Sequence, residues 1–353
     1  MKILYDYQIF SSQKYGGISR YFYEIMKGQK YNLPIIFNNN EYLNKSIKIP
    51  FNFKGKVRIY NFFNREYSKI YFKFNKNFDI FHPTYYHPYF VKYIKNKPFV
   101  LTIHDMIHEK FPNYFSKKDK TIERKKFLAQ KANRIIAVSE RTKLDIIDIL
   151  NIPEEKIDVV YHGSDFNLIK EDKEFTKKLP KKYILFTGNR NNYKNFINFI
   201  KAVSKFLNKD KNLFIICAGG GSFNNDEIKL FKELKIETQL FQYSCNDGQL
   251  KSLYINALFF IFPSLYEGFG IPLLEAMACN TPILCSNVSC FPEIVKDSAL
   301  MFNPYSVEDI KEKIEFALNN NLDFYIEKGK ERFKYFSWDK AREETMDSYK
   351  KCF

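Results

Sequence analysis

The sequence predicts an α/β fold made of two doubly wound, parallel-sheet domains. Three observations predict it. Short apolar runs alternate with helix-like periodic stretches, and the alternation occurs twice along the chain. Most of those runs end in Gly, His or Ser, the turn text expected at strand carboxyl ends. A charged, poorly periodic stretch at 170–182 separates two halves of a 353-residue chain, a length that suits two domains of about 100–200 residues each.

The elements follow in order. Residues 1–7 hold a strand, Lys2-Ile3-Leu4-Tyr5, and the Gly16-Gly17 turn leads into a periodic helix at 18–26. Residues 35–37 read as a short strand. The runs 79–81 and 99–103 read as buried parallel strands, because they are short, apolar and bounded by His82-Pro83 and His104-Asp105. A helix at 119–132, a strand at 134–138 ending in Ser139, a helix at 142–150 and a strand at 157–161 ending in His162-Gly163 complete the first half. The second half begins with a strand at 183–187 closed by Gly188 and a helix at 195–207. A strand at 213–218 closed by Gly219-Gly220-Gly221, a helix at 227–234 and a strand at 238–241 come next. Helices at 247–256, 272–279, 307–319 and from 338 onward alternate with strands at 257–262, 282–286 and 299–302. In such sheets ligands bind beyond the strand carboxyl ends. That draws His82, His104, Asp105, Ser139, His162, Gly188 and Gly219–Gly221 toward one crevice between the domains.

Composition narrows the function. Hydrophobic residues make up 45% and aromatics 18%, which excludes a disordered chain. No apolar run approaches the ~20 residues of a membrane span, and the amino terminus lacks the apolar core of a signal peptide. The six cysteines form no C-x-x-C pair and read as reduced core residues of a cytoplasmic protein, with no metal site. The formal net charge is +16. It fits nucleic acid, an anionic membrane or phosphorylated small molecules, and general Lys-rich composition accounts for part of it. The stretch 45–76 concentrates the charge: Lys45, Lys48, Lys54, Lys56, Arg58, Arg65, Lys69, Lys73 and Lys76 stand among aromatics with Glu66 as their acidic neighbour. It reads equally as a face for an anionic leaflet or as a solvated insertion.

The densest chemistry lies at 263–278. An apolar strand runs into Ser264-Leu265-Tyr266-Glu267-Gly268-Phe269-Gly270-Ile271-Pro272, and a buried helix follows. Gly268 and Gly270 let backbone N–H groups approach a ligand. Pro272 suits a first helical turn, whose free N–H groups make an anion site. Glu267 on the loop is placed to accept from sugar hydroxyls, and Glu275 is a carboxylate in an apolar helix that requires a partner. Arg190 and Lys194 share one strand-to-helix loop beside Gly188, a pairing suited to a diphosphate. No Asp-x-Asp stands at a strand end.

The Glu-x7-Glu segment from Glu267 to Glu275 resembles the signature of retaining family 4 glycosyltransferases with the GT-B fold, in particular their mannosyltransferase members. Gly16-Gly17-Ile18-Ser19-Arg20, His104-Asp105 and the run from Gly188 to Asn195 occur in that family's order. The resemblance implies two Rossmann-like domains flanking the active site: 1–168 on the acceptor side and 169–335 binding the nucleotide-sugar, with a helix at 336–353 returning to the first. It implies Glu267 on the donor sugar, Glu275 on the ribose, and backbone contacts from Gly268, Phe269, Gly270 and Ile271. Arg190 and Lys194 take the diphosphate in place of a metal. His104 and Asp105 serve sugar and acceptor, Gly16 and Gly17 admit the diphosphate, and Tyr243 and Leu250 lie by the base. No cofactor is implied. The donor is a nucleotide-diphosphate sugar, GDP-mannose ahead of UDP-sugars, and the acceptor is a glycan or lipid-linked glycan. The absence of a convincing carboxylate nucleophile favours front-face attack. Two rival readings remain: a basic nucleic-acid-binding protein, which gives the Glu-x7-Glu segment no role, and another GT-B enzyme such as a nucleotide-sugar epimerase or a phosphorylase. The expected location is the cytoplasm, with peripheral attachment to the inner membrane face open.

Overall fold

Strand–helix alternation is realised twice in the computed structural model, which describes every residue except 44–46, 49–50 and 52. Lys45 of the basic stretch therefore lies outside the described residues. The chain divides into one unit of Met1–His162 with Trp338–Phe353, and a second of Gly163–Ser337.

The first unit runs β1 (Ile3–Tyr5), α1 (Gln8–Ser12), α2 (Gly17–Met26), β2 (Tyr31–Asn32), α3 (Lys56–Phe74), β3 (Ile80–His82), β4 (Val100–Ile103), α4 (Ile107–Lys110), α5 (Thr121–Lys131), β5 (Arg134–Ala137), α6 (Glu140–Leu150) and β6 (Ile157–Val159). Its strands pair in the orders β2-β1-β3 and β4-β5-β6, all parallel, and a parallel bridge from Phe81 to Phe99 joins the two runs. β1, β3 and β4 are buried along their whole length, the reason they read as unbroken apolar text rather than alternating text. The strand expected at 35–37 is not formed. The sheet edge is β2 at Tyr31–Asn32, and Phe37 makes only an isolated bridge to Ile47. Ser139, expected near a ligand, is instead the cap of α6, its Oγ accepting from the Thr142 N–H at 3.1 Å.

The second unit runs α7 (Lys173–Thr176), β7 (Tyr183–Thr187), α8 (Phe196–Lys209), β8 (Phe214–Ala218), α9 (Asn225–Glu233), β9 (Leu240–Tyr243), α10 (Asp247–Ile255), β10 (Phe259–Phe262), α11 (Ile271–Ala278), β11 (Ile283–Ser286), α12 (Phe291–Val295), β12 (Leu300–Phe302), α13 (Val307–Asn319) and α14 (Asp323–Phe333). Its parallel strands lie in the order β12-β11-β10-β7-β8-β9. The chain lays β7 down in the middle, builds outward to β9, then returns to the other side of β7 with β10. α8 covers this sheet with Phe196, Phe199, Ile200, Val203 and Leu207, the spacing of one helix face. Each such side chain contributes about 1.5–3 kcal/mol on burial.

The last helix, α15 (Trp338–Lys350), packs in the first unit against α2 and β5. Its Tyr349 hydroxyl shares hydrogen bonds with the Tyr5 hydroxyl at 2.8 Å and His82 Nδ1 at 2.7 Å. His82 Nε2 meets Thr102 Oγ1 at 2.9 Å, and Thr102 meets the Tyr21 hydroxyl at 3.1 Å. His82 is therefore fully buried with both ring nitrogens engaged, a core residue rather than the crevice residue its strand-end position suggests. All six cysteines are free, and Cys217, Cys279, Cys285 and Cys290 are buried. Among the described residues no helix is long and apolar enough to cross a membrane.

Candidate active site

The second unit's sheet reverses its strand order between β7 and β10, and such reversals are where parallel sheets bind ligands. The loops leaving these two neighbouring strands carry Lys194 and Glu267. After β7, Asn191 to Asn195 form a tight turn in which Asn192 and Asn195 take positive φ of 49° and 58°. Asn tolerates that left-handed backbone better than most residues, which accounts for Asn at both ends of the Lys194 turn. The Leu265 N–H donates to the Tyr193 carbonyl at 2.7 Å and ties the two loops together. Lys194 Nζ then donates to Glu267 Oε1 at 2.6 Å, with the two side chains only 15% and 13% exposed. At that coverage the pair is screened much less than a surface ion pair.

The Glu267 loop is fixed from behind. Ser289 Oγ donates to the Glu267 carbonyl at 2.7 Å, and the Glu267 N–H donates to Ser289 Oγ at 3.1 Å. The Cys290 thiol donates to the Phe269 carbonyl at 3.2 Å. Gly270 ends the loop with φ +92°, and an added Cβ there would stand 3.0 Å from Leu273 Cδ1. Only Gly enters α11 by this route without strain. Pro272 occupies the first turn of α11 and brings no N–H, the Leu273 N–H donates to the Gly270 carbonyl at 2.9 Å, and no side chain caps the amino end, so that end offers an anion its dipole and the Ile271 N–H. Glu275 is buried on α11 and accepts from the Tyr254 hydroxyl at 3.1 Å. Burial, with Glu275 beside it, pushes the Tyr254 hydroxyl far above the usual phenol range and keeps it a donor.

Arg190 departs from the expected pairing with Lys194. Its side chain is buried and turned into the Gly219–Gly221 loop. Nε donates to Glu227 Oε1 at 2.8 Å, Nη1 to the Gly219 carbonyl at 3.2 Å, and Nη2 to the Gly221 and Ser222 carbonyls at 2.9 and 3.0 Å. Gly220 has φ +73°, and a Cβ on it would lie 2.7 Å from both Arg190 Nη1 and the Gly188 carbonyl. The guanidinium is thus a splint for the glycine loop. Its planar fork donates from three nitrogens in fixed directions, so one side chain holds Glu227 and three carbonyls together.

In the first unit, His104 follows β4 and Asp105 comes next. The His104 N–H donates to the Tyr86 hydroxyl at 3.2 Å, and its ring packs edge-on to Tyr21 at 5.1 Å between centroids. Nε2 of His104 is buried with no hydrogen-bond partner. Burial, reinforced by His162, His82 and Lys125, holds its pKa well below the usual imidazole range, so the ring is neutral. Asp105 Oδ1 accepts from the Ile107 N–H at 3.0 Å, and its carbonyl accepts from buried Lys125 at 2.8 Å. Lys125 also donates to Glu109 at 2.8 Å. Gly16 precedes α2 and Gly17 begins it, the Gln13 amide oxygen accepts from the Ser19 N–H of that first turn at 3.2 Å, and a Cβ on Gly16 would strike the same amide at 2.3 Å.

Residues 169–335 match the family model for glycosyl transferases group 1, and residues 15–168 that for glycosyltransferase family 4. A glycosyltransferase of Methanocaldococcus jannaschii is 30% identical over 277 residues, covering 74% of this chain and 71% of that protein. The chain belongs to the family 4 glycosyltransferases. O-antigen chain mannosyltransferase B of Escherichia coli is 28% identical over 266 residues, covering 71% of this transferase and 70% of the relative. In structure the transferase resembles Anabaena HepE in complex with UDP and glucose (TM-score 0.78, 18% identity, 99% of each chain). It also resembles sucrose-phosphate synthase from Thermosynechococcus elongatus (TM-score 0.77, 17% identity, 99% and 98%). The GT-B fold expected from the sequence is the fold of the transferase.

The transferase gathers Gly188, Lys194, Tyr243, Leu250, Glu267, Gly268, Phe269, Gly270, Ile271 and Glu275 on the elements at one end of the second sheet, where β7, β9 and β10 give way to their loops and helices. Tyr243 ends β9 with its ring edge-on to Phe175, and Leu250 lies in α10. Sequence reasoning passed over Glu227, Tyr254, Ser289 and Lys125. Only Glu227 carried a signal: Asn224 and Glu227 have the spacing of a capping box, and the structure forms it. Among the described residues no group of three or more His, Cys, Asp or Glu could hold a metal ion.

Proposed function

We propose that this transferase moves a hexose, mannose first among them, from a nucleotide-diphosphate sugar to a glycan or lipid-linked glycan, with retention and without a metal ion. The observation that carries the reading is the Lys194–Glu267 pair at 2.6 Å, set at the strand-order reversal beside the uncapped end of α11. A diphosphate arriving there draws Lys194 to itself and leaves Glu267 free to accept from sugar hydroxyls. Lys194 and the amino end of α11 then stabilise the charge that builds on the leaving group. Glu275 receives the ribose hydroxyls, Tyr243 and Leu250 line the base, and Gly268, Phe269 and Ile271 offer backbone contacts. Neutral His104, with its free Nε2, and Asp105 meet the sugar and acceptor, alongside Gly16 and Gly17. Arg190 acts as a positioning residue through the glycine loop, with no direct hold on phosphate.

In the front-face step the anomeric carbon–oxygen bond to the diphosphate breaks. The acceptor hydroxyl oxygen bonds to that carbon from the same side, and its proton passes to the departing diphosphate oxygen. Relatives named as O-antigen chain mannosyltransferases support mannose as the transferred sugar and a glycan as the acceptor. Thermal-shift titration with GDP, UDP, GDP-mannose and UDP-glucose tests the reading. The expected result is a shift with GDP and GDP-mannose that persists in EDTA. A shift with none of the four overturns it, and an inverted product by NMR overturns the front-face step.

A further inference from the structure

Helix α3 turns a large apolar stripe outward. The stripe packed against the first unit is Tyr60, Asn64, Ser68 and Phe72, two of them polar. Asn64 anchors that stripe: Oδ1 accepts from the Ile36 and Phe37 N–H groups at 2.8 and 3.0 Å, and Nδ2 donates to Ser11 at 2.8 Å and the Phe37 carbonyl at 2.7 Å. The opposite face carries Ile59, Phe62, Phe63, Tyr67, Ile70 and Phe74, all exposed, with Ile70 at 56% and Phe74 at 78%. At 100° per residue these six fall within an arc of about 140°. Scattered exposed apolar residues need no explanation, but a continuous helical stripe of them marks a surface that something covers.

Charge identifies the cover. α3 holds Lys56, Arg58, Arg65, Lys69 and Lys73 against a single acid, Glu66. That acid is neutralised by Lys69 at 2.8 Å and Arg65 at 3.5 Å. Arg58, Arg65 and Lys69 flank one edge of the apolar arc, and Lys73 lies just inside that edge. Two copies packed on this face would bring like charges together. An anionic bilayer meets both features at once, with acyl chains against the Phe and Ile side chains and lipid phosphates against the basic edge.

We infer that α3 is an in-plane anchor that lays its outer face into the surface of an anionic membrane. This rests on the lipid-linked form of the proposed acceptor and gives it a physical attachment point, and its test is independent of nucleotide binding. Flotation of the intact protein with vesicles of equal parts phosphatidylcholine and phosphatidylglycerol, beside pure phosphatidylcholine, reads it directly. The wild type is expected to float with the anionic vesicles and to be released by high salt. Phe63→Asp with Ile70→Asp is expected to lower binding about a hundredfold, at ~1.5–3 kcal/mol per large apolar side chain withdrawn. Both positions are exposed, so the fold and the nucleotide thermal shift should persist. Arg58→Glu with Lys73→Glu should weaken binding to anionic vesicles alone. Absence of flotation, equal flotation of the apolar double variant, or a wild-type dimer that this variant dissolves each overturns the inference. Salt-sensitive RNA binding in place of vesicle binding also overturns it and assigns the face to nucleic acid.

Discussion

Lys194 and Arg190 stand four residues apart on one loop, yet their surroundings give them different work. Lys194 is matched to one carboxylate, Glu267, that a ligand can replace. Arg190 is held by Glu227 and three backbone carbonyls inside the unit. Truncation separates them. Lys194→Ala should cut kcat at least ~10²-fold, the scale of losing one charge-stabilising donor, with a smaller stability loss than Arg190→Ala, because the Glu267 it leaves is 13% exposed against 5% for Glu227. Arg190→Ala strands Glu227 in a buried site, so the second unit should lose about 3–5 kcal/mol. Urea denaturation beside steady-state kinetics checks both. A stable Arg190→Ala protein with a kcat defect like that of Lys194→Ala would return Arg190 to the phosphates.

At the scale of elements, α15 is stitched into the first unit through Tyr349, which serves the buried Tyr5 and His82 together. Tyr349→Phe keeps the ring and removes the shared hydroxyl. It should cost about 1–3 kcal/mol, the penalty for leaving buried polar groups unpaired, read as a lowered urea midpoint. Elements also differ in how legible they were. β7, β8 and β10 are continuous apolar runs ended by Gly or Pro-Ser, and they fall within one or two residues of their expected bounds. α3 was missed because its apolar side faces outward and its packed side includes Asn64 and Ser68, so the periodic signal pointed to no core. α14 was missed because Gly329 is its single buried residue. In the site, the Lys194–Glu267 contact spans 73 residues and came only with the fold, whereas the Gly270 turn was legible because its role lies in its own loop. The task of Arg190 was not, because Glu227 lies 37 residues further along the chain and only tertiary folding joins them.

Over the whole molecule, the first unit carries a set of neutral buried histidines. Burial drives His82 and His162 down to about 3, and His104 well below the usual range. Unfolded imidazoles titrate near 6.5, so between there and pH 3 the unfolded chain binds more protons than the folded one. Stability is then full above about pH 6.5 and falls as pH drops, by up to ~1.4 kcal/mol per pH unit for each histidine. Buried Asp6, whose carboxyl is pushed upward by desolvation, works in the opposite sense. His87 and His108 are lowered by burial too and Glu344 is raised by it, so five lowered histidines stand against two raised carboxyls, and the urea midpoint should hold steady from pH 8 to 7 and decline from pH 6.5 to 5. A flat midpoint across that lower window would show that these rings are not neutral by burial.

The return of α15 to the first unit bears on the order of synthesis. All of the second unit's sequence has been made by Ser337, while the first unit still lacks Trp338–Phe353. Until residue 349 leaves the ribosome, Tyr5 and His82 have no Tyr349 to bond. Of the two units, the one whose sequence is entered first is completed second.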